Sequence, residues 1–99
     1  MRRQLPQRRS LLVTLVFPNL SRSFDTTRGC VRFSGYDRTA EVPFFVEANA
    51  IRAIDHIPLA GSQELLSAFD RHRERICKAA VQAYGKRREG SYTLRPGDL

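Results

Sequence analysis

The segment VRFSGYDRTAEVPFFVEANAI, which runs from Val31 to Ile51, decides the fold of this 99-residue chain. Side chains alternate between two rows in both of its halves. In the first half, Val31 and Phe33 alternate with Cys30, Arg32 and Ser34. In the second half, Val42, Phe44 and Val46 alternate with Glu41, Pro43, Phe45 and Glu47. Period two is typical of strands that bury one face. With Gly35 and Asp37 between the two runs, the sequence predicts a β-hairpin.

The side chains opposite the valines of this hairpin have different expected roles. Glu41 and Glu47 fall where a solvated carboxylate is ordinary, so they are not expected to be paired catalytic acids. Phe45 lies in the same outward row and is expected to be accessible to solvent or to a second copy of the chain. Pro43 has no backbone N–H to donate to a neighbouring strand, which predicts that its strand is an edge of the sheet on one side.

The sequence before the hairpin predicts one more strand and a loop. LLVTLVF, residues 11–17, is apolar and β-branched and is followed by Pro18, so we expect a strand buried on both faces in a central position of the sheet. NLSRSFDTTRG, residues 19–29, is rich in Ser, Thr, Asn and Asp, which favour local turns. It is predicted to be a loop anchored by Phe24.

The sequence after the hairpin changes to a helical period. Two isoleucines three residues apart predict a short helix with Asn49 as its N-cap. Spacings of three and four then predict a long amphipathic helix from about Ser62, its N-cap, to Tyr84 or beyond, with Gly85 as its stop. The inward positions of this helix are Leu65, Leu66, Phe69, His72, Ile76, Ala79, Ala80 and Ala83. Its small alanines are expected to allow a close approach to the sheet.

SYTLR, residues 91–95, places Tyr92 and Leu94 on one face and predicts a final strand. The element order is then β-β-β-α-α-β. The sequence therefore predicts an α+β fold, with a small antiparallel or mixed sheet of about four strands packed against one long and one short helix.

The positive charge is concentrated at the start of the chain. The net charge is +7. Four of these charges come from Arg2, Arg3, Arg8 and Arg9. Residues 11–99 therefore carry only +3, from 13 basic minus 10 acidic residues. Residues 1–10 have almost nothing to pack against a core and are expected to form a disordered basic tail, with a single α+β domain over residues 11–99.

The sequence contains few groups suited to catalysis. His56 adjoins Asp55 in a predicted loop, and His72 shares a helix face with Phe69 and Ile76, so an exposed and a hydrogen-bonded structural histidine are the simpler interpretations. No GxSxG, P-loop, GxGxxG or HExxH motif is present. We therefore expect a protein that is not an enzyme.

The cysteines and the apolar run near the start also limit the function. Cys30 and Cys77 have no CxxC spacing and no clustered histidines, so no metal and no cofactor is expected, and each is expected to be a buried or half-buried side chain. The apolar run of residues 11–17 is too short to span a bilayer and no cleavage-site pattern follows it. A cytoplasmic protein without membrane contact is expected.

Two functions remain open at this point. The first is a protein-binding or adaptor domain, whose partner is a second copy of the chain or an unknown protein. Its candidate partner surface consists of Tyr36, Phe45 and Tyr92.

The second possible function is that of a nucleic-acid-binding accessory protein. Its candidate phosphate contacts are Arg2, Arg3, Arg8 and Arg9 of the tail and Arg71, Arg75, Lys78 and Lys86 of the long helix. Asp70 and Glu74 dilute the helical stripe, so a solvated helix face is the simpler interpretation.

FPNLSRSFDTTRGCVRFSGYD, EVPFFVEANAI, FDRHRERI and GSYTL follow one another in this chain. These segments resemble the short bacterial proteins grouped as domain-of-unknown-function family 1488, and the resemblance extends from about Leu12 to Leu94. It implies a compact α+β domain with a small sheet and helices. It implies no catalytic residues and no established activity.

Overall fold

Five strands and three helices make up the described part of the chain. A computed structural model describes residues 14–57 and 61–99. The elements in chain order are β1 (Leu15–Val16), β2 (Arg22–Asp25), β3 (Cys30–Asp37), β4 (Ala40–Glu47), α1 (Ala48–Asp55), α2 (Ser62–Arg71), α3 (Arg73–Lys86) and β5 (Tyr92–Leu94). None of these helices is long and apolar enough to cross a membrane. The predicted α+β fold is confirmed. The predicted tail, residues 1–10, and residues 11–13 of the first predicted strand lie outside the described residues.

The predicted hairpin is confirmed as β3 and β4. The two strands pair antiparallel at all eight positions. Their inward residues, Val31, Phe33, Val42, Phe44 and Val46, are buried. Gly35 and Asp37 lie within β3 itself, and the chain turns three residues after the glycine, beginning at Arg38, whose φ is 61°. The hairpin forms the centre of the sheet.

β1 and β2 share one edge of this hairpin. β2 pairs with residues 30–33 of β3, and β1 pairs with residues 36–37, both antiparallel. The prediction of a central first strand is wrong, because β1 pairs only with β3 within the described residues and ends the strand order. Val16 is 54% exposed, so β1 is not buried on both faces either.

β2 lies in a segment that its composition predicts to be a loop. Pairing with β3 satisfies the backbone of β2, and Arg22 donates hydrogen bonds of 2.9 and 2.8 Å to the carboxylate of Asp70 on α2. Phe24 packs against the core, as expected of an anchor. Tertiary contacts therefore override the local turn preference of these polar residues.

β5 lies at the other edge of the sheet. It pairs parallel with residues 44–46 of β4. Tyr92 and Leu94 are buried while Thr93 is exposed, as the alternation predicts. Pro43 immediately precedes the paired residues, on a part of β4 that has only β3 beside it among the described residues. The prediction that this strand is an edge is nevertheless wrong, because β4 lies between β3 and β5 in the sheet. Pro43 is tolerated there because its own position has no second neighbour among the described residues.

Both predicted N-caps are displaced by one or two residues. α1 has Glu47 as its N-cap, so Asn49 lies in its first turn. α2 has Gly61 as its N-cap, and Ser62 is its first helical residue. The Gly61 N–H donates a 3.0 Å hydrogen bond to the Glu64 carboxylate. β4 runs directly into α1, and the N–H of Ala48 at the start of the helix donates a 3.0 Å hydrogen bond to the carbonyl oxygen of Gly29.

The long predicted helix is divided at His72. The φ of −111° and ψ of 21° at this residue interrupt helical geometry between α2 and α3. The His72 Nε2 lies 2.7 Å from Asp55 Oδ1 at the end of α1, so the break coincides with a side-chain contact to another helix. α3 then continues through Gly85 to Lys86, one residue past the predicted stop.

A cluster of aromatic rings joins the inner face of the sheet to the helices. Phe33 has its ring centroid 5.4 Å from that of Phe44 and 5.0 Å from that of Phe69 on α2. Ile51, Leu65 and Ile76 bring all three helices into the same buried cluster. The helices therefore cover one face of the sheet. The opposite face, which we call the outer face, carries Arg32, Ser34, Tyr36, Glu41, Pro43 and Phe45.

Candidate functional site

Phe45 is not an accessible partner residue, so this prediction is wrong. Its exposed fraction is only 7%, although it points to the outer face. The guanidinium carbon of Arg28 lies 4.0 Å from the centroid of the Phe45 ring, and that of Arg32 lies 5.9 Å from it. Cation–π contact and the aliphatic stems of these arginines therefore bury the ring within a single copy of the chain.

Tyr92 is also not part of an exposed partner surface. Its exposed fraction is 6%, and its ring centroid lies 5.3 Å from that of Phe44 and 5.8 Å from that of Tyr84. Its hydroxyl donates a 2.7 Å hydrogen bond to the carbonyl oxygen of Arg87 and accepts one of 2.7 Å from the N–H of Glu89. Tyr92 therefore ties the connector after α3 to the core.

Tyr36, the third predicted partner residue, is half-buried and lines a hollow of about 390 Å³ on the outer face. The hollow lies beside β3 where pairing with β2 ends and pairing with β1 begins. The Ser34 hydroxyl there donates a 2.6 Å hydrogen bond to Glu41, and the Arg22 head group is held by Asp70. Charged groups at this hollow are thus already engaged within the fold.

The predicted phosphate contacts of the long helix are separated by its break. Arg71 ends α2 and lies 2.5 Å from Asp55 Oδ2, so it does not join a stripe on α3. The remaining members, Arg75, Lys78 and Lys86, are exposed on α3. Neither lysine forms an ion pair with a described residue. The four predicted contacts of the tail, Arg2, Arg3, Arg8 and Arg9, lie outside the described residues.

A groove of about 610 Å³, which we call the β5–α3 groove, lies between the last strand and the last helix. One wall consists of five consecutive residues, Ser91–Arg95, so the groove follows the edge of the strand rather than one face of it. The other wall is one face of α3, formed by Ala79, Gln82, Ala83 and Lys86. The flanking segments contribute Arg87, Glu89, Gly97 and Asp98.

The edge of β5 that faces this groove has no partner strand among the described residues, because the strand order ends at β5. Residues 91–94 also take no part in the backbone hydrogen bonds that join turns, loops and caps in the described chain. An edge strand presents its outward N–H and C=O groups for pairing with another chain. The groove therefore combines unpaired backbone groups with a helix wall.

Both carboxylates at the groove already have partners. The Glu89 carboxylate lies 3.2 Å from the guanidinium of Arg87, and the Asp98 carboxylate accepts a 2.7 Å hydrogen bond from the backbone N–H of Arg95. The side chain of Arg95 is 71% exposed and lies 3.6 Å from that of Glu47. Lys86 on the helix wall remains without an ion pair to any described residue. The groove therefore offers positive charge to whatever enters it.

Asp37 connects β3 to α3 and to Thr14, the residue before β1, and sequence analysis did not identify this role. The hydroxyls of Thr14 and Tyr84 donate hydrogen bonds to its carboxylate. These two donors lower the pKa of Asp37, and the same carboxylate raises the pKa of Tyr84. A tyrosine with a raised pKa is less suited to general acid–base catalysis near neutral pH. The cluster therefore anchors α3 to the sheet.

Asp55 is the centre of a second cluster, where the three helices meet. Arg71 lies 2.5 Å from it and the His72 Nε2 lies 2.7 Å from it. Hydrogen bonds from Arg71 and then from His72 lower the pKa of the Asp55 carboxyl. His56 at the C-terminal cap of α1 is exposed, as predicted for a loop histidine. These groups hold the helices together rather than forming an open cleft.

The two cysteines are separate and not joined in a disulfide. Cys30 is buried and Cys77 is half-buried, as the sequence predicts. Burial raises the pKa of both thiols, which is the opposite of what a reactive thiolate requires. In residues 14–57 and 61–99, no three His, Cys, Asp or Glu side chains are grouped so that they could hold a metal ion.

The groove residues missed by sequence analysis had only a weak signal. The spacing of Ala79 and Ala83 predicts their shared face, but small side chains suggest close packing as readily as a groove wall. The edge position of β5 depends on strand order, which no local pattern specifies. Asp37 and Tyr84 are 47 positions apart, and nothing in either neighbourhood predicts their contact.

Comparisons with known proteins agree with this fold. A search of curated proteins found no match. A solved structure described as a protein of unknown function from the DUF1488 family of Shewanella loihica PV-4 superposes with a TM-score of 0.74. Its sequence is 13% identical, and the superposition covers 83% of this chain and 92% of that one. The family model "Protein of unknown function (DUF1488)" matches residues 15–95. The chain therefore belongs to the DUF1488 family, as the resemblance of its segments predicts.

Proposed function

We propose that this chain is a non-enzymatic protein-binding domain that holds an extended segment of another protein in the β5–α3 groove. The segment adds a strand to the edge of β5 and packs its inward side chains against α3. The observation that carries this proposal is the unpaired edge of β5 facing one side of a helix across about 610 Å³ of open space.

Strand addition suits both walls of the groove. An edge strand offers N–H and C=O groups at a repeat that any extended chain can match, and these bonds provide affinity while neighbouring side-chain space provides selectivity. On the helix wall, Ala79 is only 7% exposed and Ala83 is half-buried, so these short side chains lie at the base of the groove and leave room above them for the side chains of an added strand. Pairing along residues 91–94 would use a segment roughly 10 to 13 Å long, at about 3.3 Å per residue.

The ionisable groups support binding rather than catalysis. The carboxylates of Asp37 and Asp55 are each occupied by donors within the fold. The raised thiol pKa of Cys30 and of Cys77 opposes nucleophilic attack. Enzymes instead place groups with a pKa near the working pH in an open cleft. A cytoplasmic location is part of the proposal, since unpaired cysteines suit a reducing compartment.

A random displayed peptide library, selected on the purified domain, tests the proposal. We expect recovered peptides to shift the backbone amide resonances of residues 91–95 and of the groove-facing residues of α3. We also expect slower amide hydrogen exchange in β5, because new main-chain hydrogen bonds protect its outward N–H groups. Resonances of the outer face should be unchanged.

Substitutions that fill the groove provide the matched comparison. Ala83→Trp should abolish peptide binding, while Ala53→Trp, which places the same side chain on the exposed side of α1, should not. Gln82→Trp, at an exposed position on the rim, is a second variant that is expected to keep its fold. Circular dichroism and thermal melting check folding. A library without binders, binding that survives both groove variants, or shifts confined to the outer face would contradict the proposal.

A second function, nucleic-acid binding, is favoured by the exposed cations of α3. Arg75, Lys78 and Lys86 together predict a log–log salt slope of roughly −2.1 on single strands. Titration of a fluorescent oligonucleotide at several salt concentrations measures this slope, and a chain that starts at Leu11 shows what the earlier arginines add. An absence of binding at low salt would contradict this function.

A further inference from the structure

The charges around the β5–α3 groove indicate the chemistry of the segment that it holds. Resting on the proposed function, we propose that this segment is acidic, with a carboxylate facing Lys86 at one end of the groove and a carboxylate facing Arg95 at the other. Between them lies an apolar side chain that packs against Ala79 and Ala83. The partner is thus an acidic, extended stretch of another protein.

The two cations lie at opposite ends because α3 and β5 run in opposite directions. The ring contact between Tyr84 and Tyr92, with centroids 5.8 Å apart, places the end of α3 beside the start of β5. At the other end, Arg75 donates a 3.1 Å hydrogen bond to the main-chain oxygen of Leu99, beyond β5. Lys86 is therefore near the start of the strand, while Arg95 follows its end.

The charged residues of the groove lie toward its ends, and the lining between them is uncharged. Ala79 and Ala83 lie one helical turn apart on the α3 wall, between Arg75 and Lys86 along the helix. In an added strand, alternate side chains point toward the helix, so one inward side chain meets the alanines. Burial there favours an apolar residue, because a polar one would lose water without gaining a charged partner.

The charge balance favours an acidic partner over a neutral one or a second copy of the chain. The acids of the groove are already engaged, Glu89 by Arg87 and Asp98 by the Arg95 backbone. The Arg95 side chain lies 3.6 Å from Glu47 but is 71% exposed, so it can still face a second carboxylate, and Lys86 has no ion pair with a described residue. The described residues carry +3, because the 13 basic and 10 acidic residues of 11–99 all lie within them. A field of this sign attracts acidic segments and opposes association of two identical chains.

The test compares two lysines of the same helix. Lys86→Glu reverses the charge in the groove, and Lys78→Glu makes the same change on the opposite flank of α3, where Lys78 lies beside Leu15 and Phe17. Both residues are exposed, so both variants are expected to fold and their net charges are equal. The probes are the peptides recovered from the random library and three synthetic peptides of alternating valine with glutamate, glutamine or lysine.

We expect the recovered peptides to be enriched in Asp and Glu, and the glutamate peptide to bind more tightly than the glutamine and lysine peptides. Lys86→Glu should weaken binding of acidic peptides roughly three- to tenfold, in the range of an exposed ion pair and its reversal, and should reduce the salt dependence of binding. Lys78→Glu should stay close to the wild-type affinity.

Three experimental outcomes would contradict different parts of the proposal. One outcome would overturn the acidic segment while leaving strand addition intact. In that outcome, Ala83→Trp abolishes peptide binding, but the recovered peptides are not enriched in acidic residues and bind the two lysine variants with equal affinity. Binding that is insensitive to both Ala83→Trp and Gln82→Trp would overturn the proposed function itself. A dimer in analytical ultracentrifugation that dissociates in Ala83→Trp would make a second copy the occupant and would overturn this inference.

Discussion

Phe44 and Phe45 are neighbours in sequence and point to opposite faces of the sheet, yet both are nearly inaccessible, at 0% and 7% exposure. Phe44 is enclosed by rings, with centroids of Phe33 and Tyr92 at 5.4 and 5.3 Å. Phe45 is covered by the side chain of Arg28, with Arg32 further away. Equal burial therefore arises in two ways, from apolar packing on the inner face and from charged side chains on the outer face.

The difference between these faces bears on how the domain could bind. On the outer face the chain covers Phe45 with charged groups that stay solvated, so this ring is not open to a second copy. Val16 of β1, which pairs with Tyr36, is the exposed large apolar side chain of that face among the described residues. Backbone groups without a partner strand among the described residues lie along β5, at one of the two edges of the sheet. In a small sheet of this kind, the edge strand is more accessible to a binding partner than either face of the sheet.

The largest loss of stability is expected from a substitution on the inner face of the sheet. Phe44→Ala should lower the free energy of unfolding by roughly 3 to 5 kcal/mol, because it removes ring contacts and leaves an enclosed cavity. Such a loss is a large share of the stability of a small domain, about 5 to 15 kcal/mol. Urea unfolding followed by circular dichroism measures it. A loss below that of Phe45→Ala would contradict the assignment of the two faces.

The second prediction concerns the outer face. Phe45→Ala should cost about 1.5 to 3 kcal/mol, the range for returning a buried apolar side chain to water, without the added penalty of a closed cavity. The open face lets water and the stems of Arg28 and Arg32 fill the space. Sedimentation should be unchanged, since the ring is buried within one chain. A loss equal to that of Phe44→Ala would mean that the arginines enclose the ring as firmly as the core does.

The two faces also show how much the sequence could predict. Alternation correctly assigned Val31, Phe33 and Phe44 to the core and Phe45 to the opposite row, because period two is a local property of the strand. It could not predict that Phe45 is covered, since the arginines that cover it are held in place by the β2–β3 turn and by cross-strand register. Helix periodicity likewise predicted the buried face of α2 and α3 but not the break at His72, which coincides with a contact to Asp55.

The candidate site depended even more on long-range structure. The sequence predicted β5 and the face of α3 that carries Ala79 and Ala83, so both walls of the groove were available as separate elements. Their juxtaposition follows from parallel pairing of β5 with β4, which leaves the strand at an edge. Strand order depends on which apolar faces meet in the folded core, so it cannot be predicted from local residue patterns.

A smaller effect is expected where the inner face has no space for a side chain. Gly35 lies on β3, and a Cβ atom there would be 2.8 Å from Cε1 of Phe17 and 3.0 Å from Cδ1 of Leu15. Gly35→Ala should therefore destabilise the domain by about 1 to 3 kcal/mol, the usual cost of overpacking a core. Thermal and urea unfolding measure the change. An unchanged stability would show that β1 moves aside without cost.

The smallest effect is expected at a glycine that no neighbour crowds. Gly85 lies in the last turn of α3, and no atom would lie within 4 Å of an added Cβ. Gly85→Ala should therefore stabilise the domain by about 0.5 to 1 kcal/mol, because alanine loses less backbone entropy in a helix. Gly97 has equally open surroundings but a φ of 99°, so Gly97→Ala should destabilise through backbone strain alone. Destabilisation by Gly85→Ala as well would mean that α3 ends before this residue in solution, as the sequence predicts, and that the wall of the β5–α3 groove is shorter by its last turn.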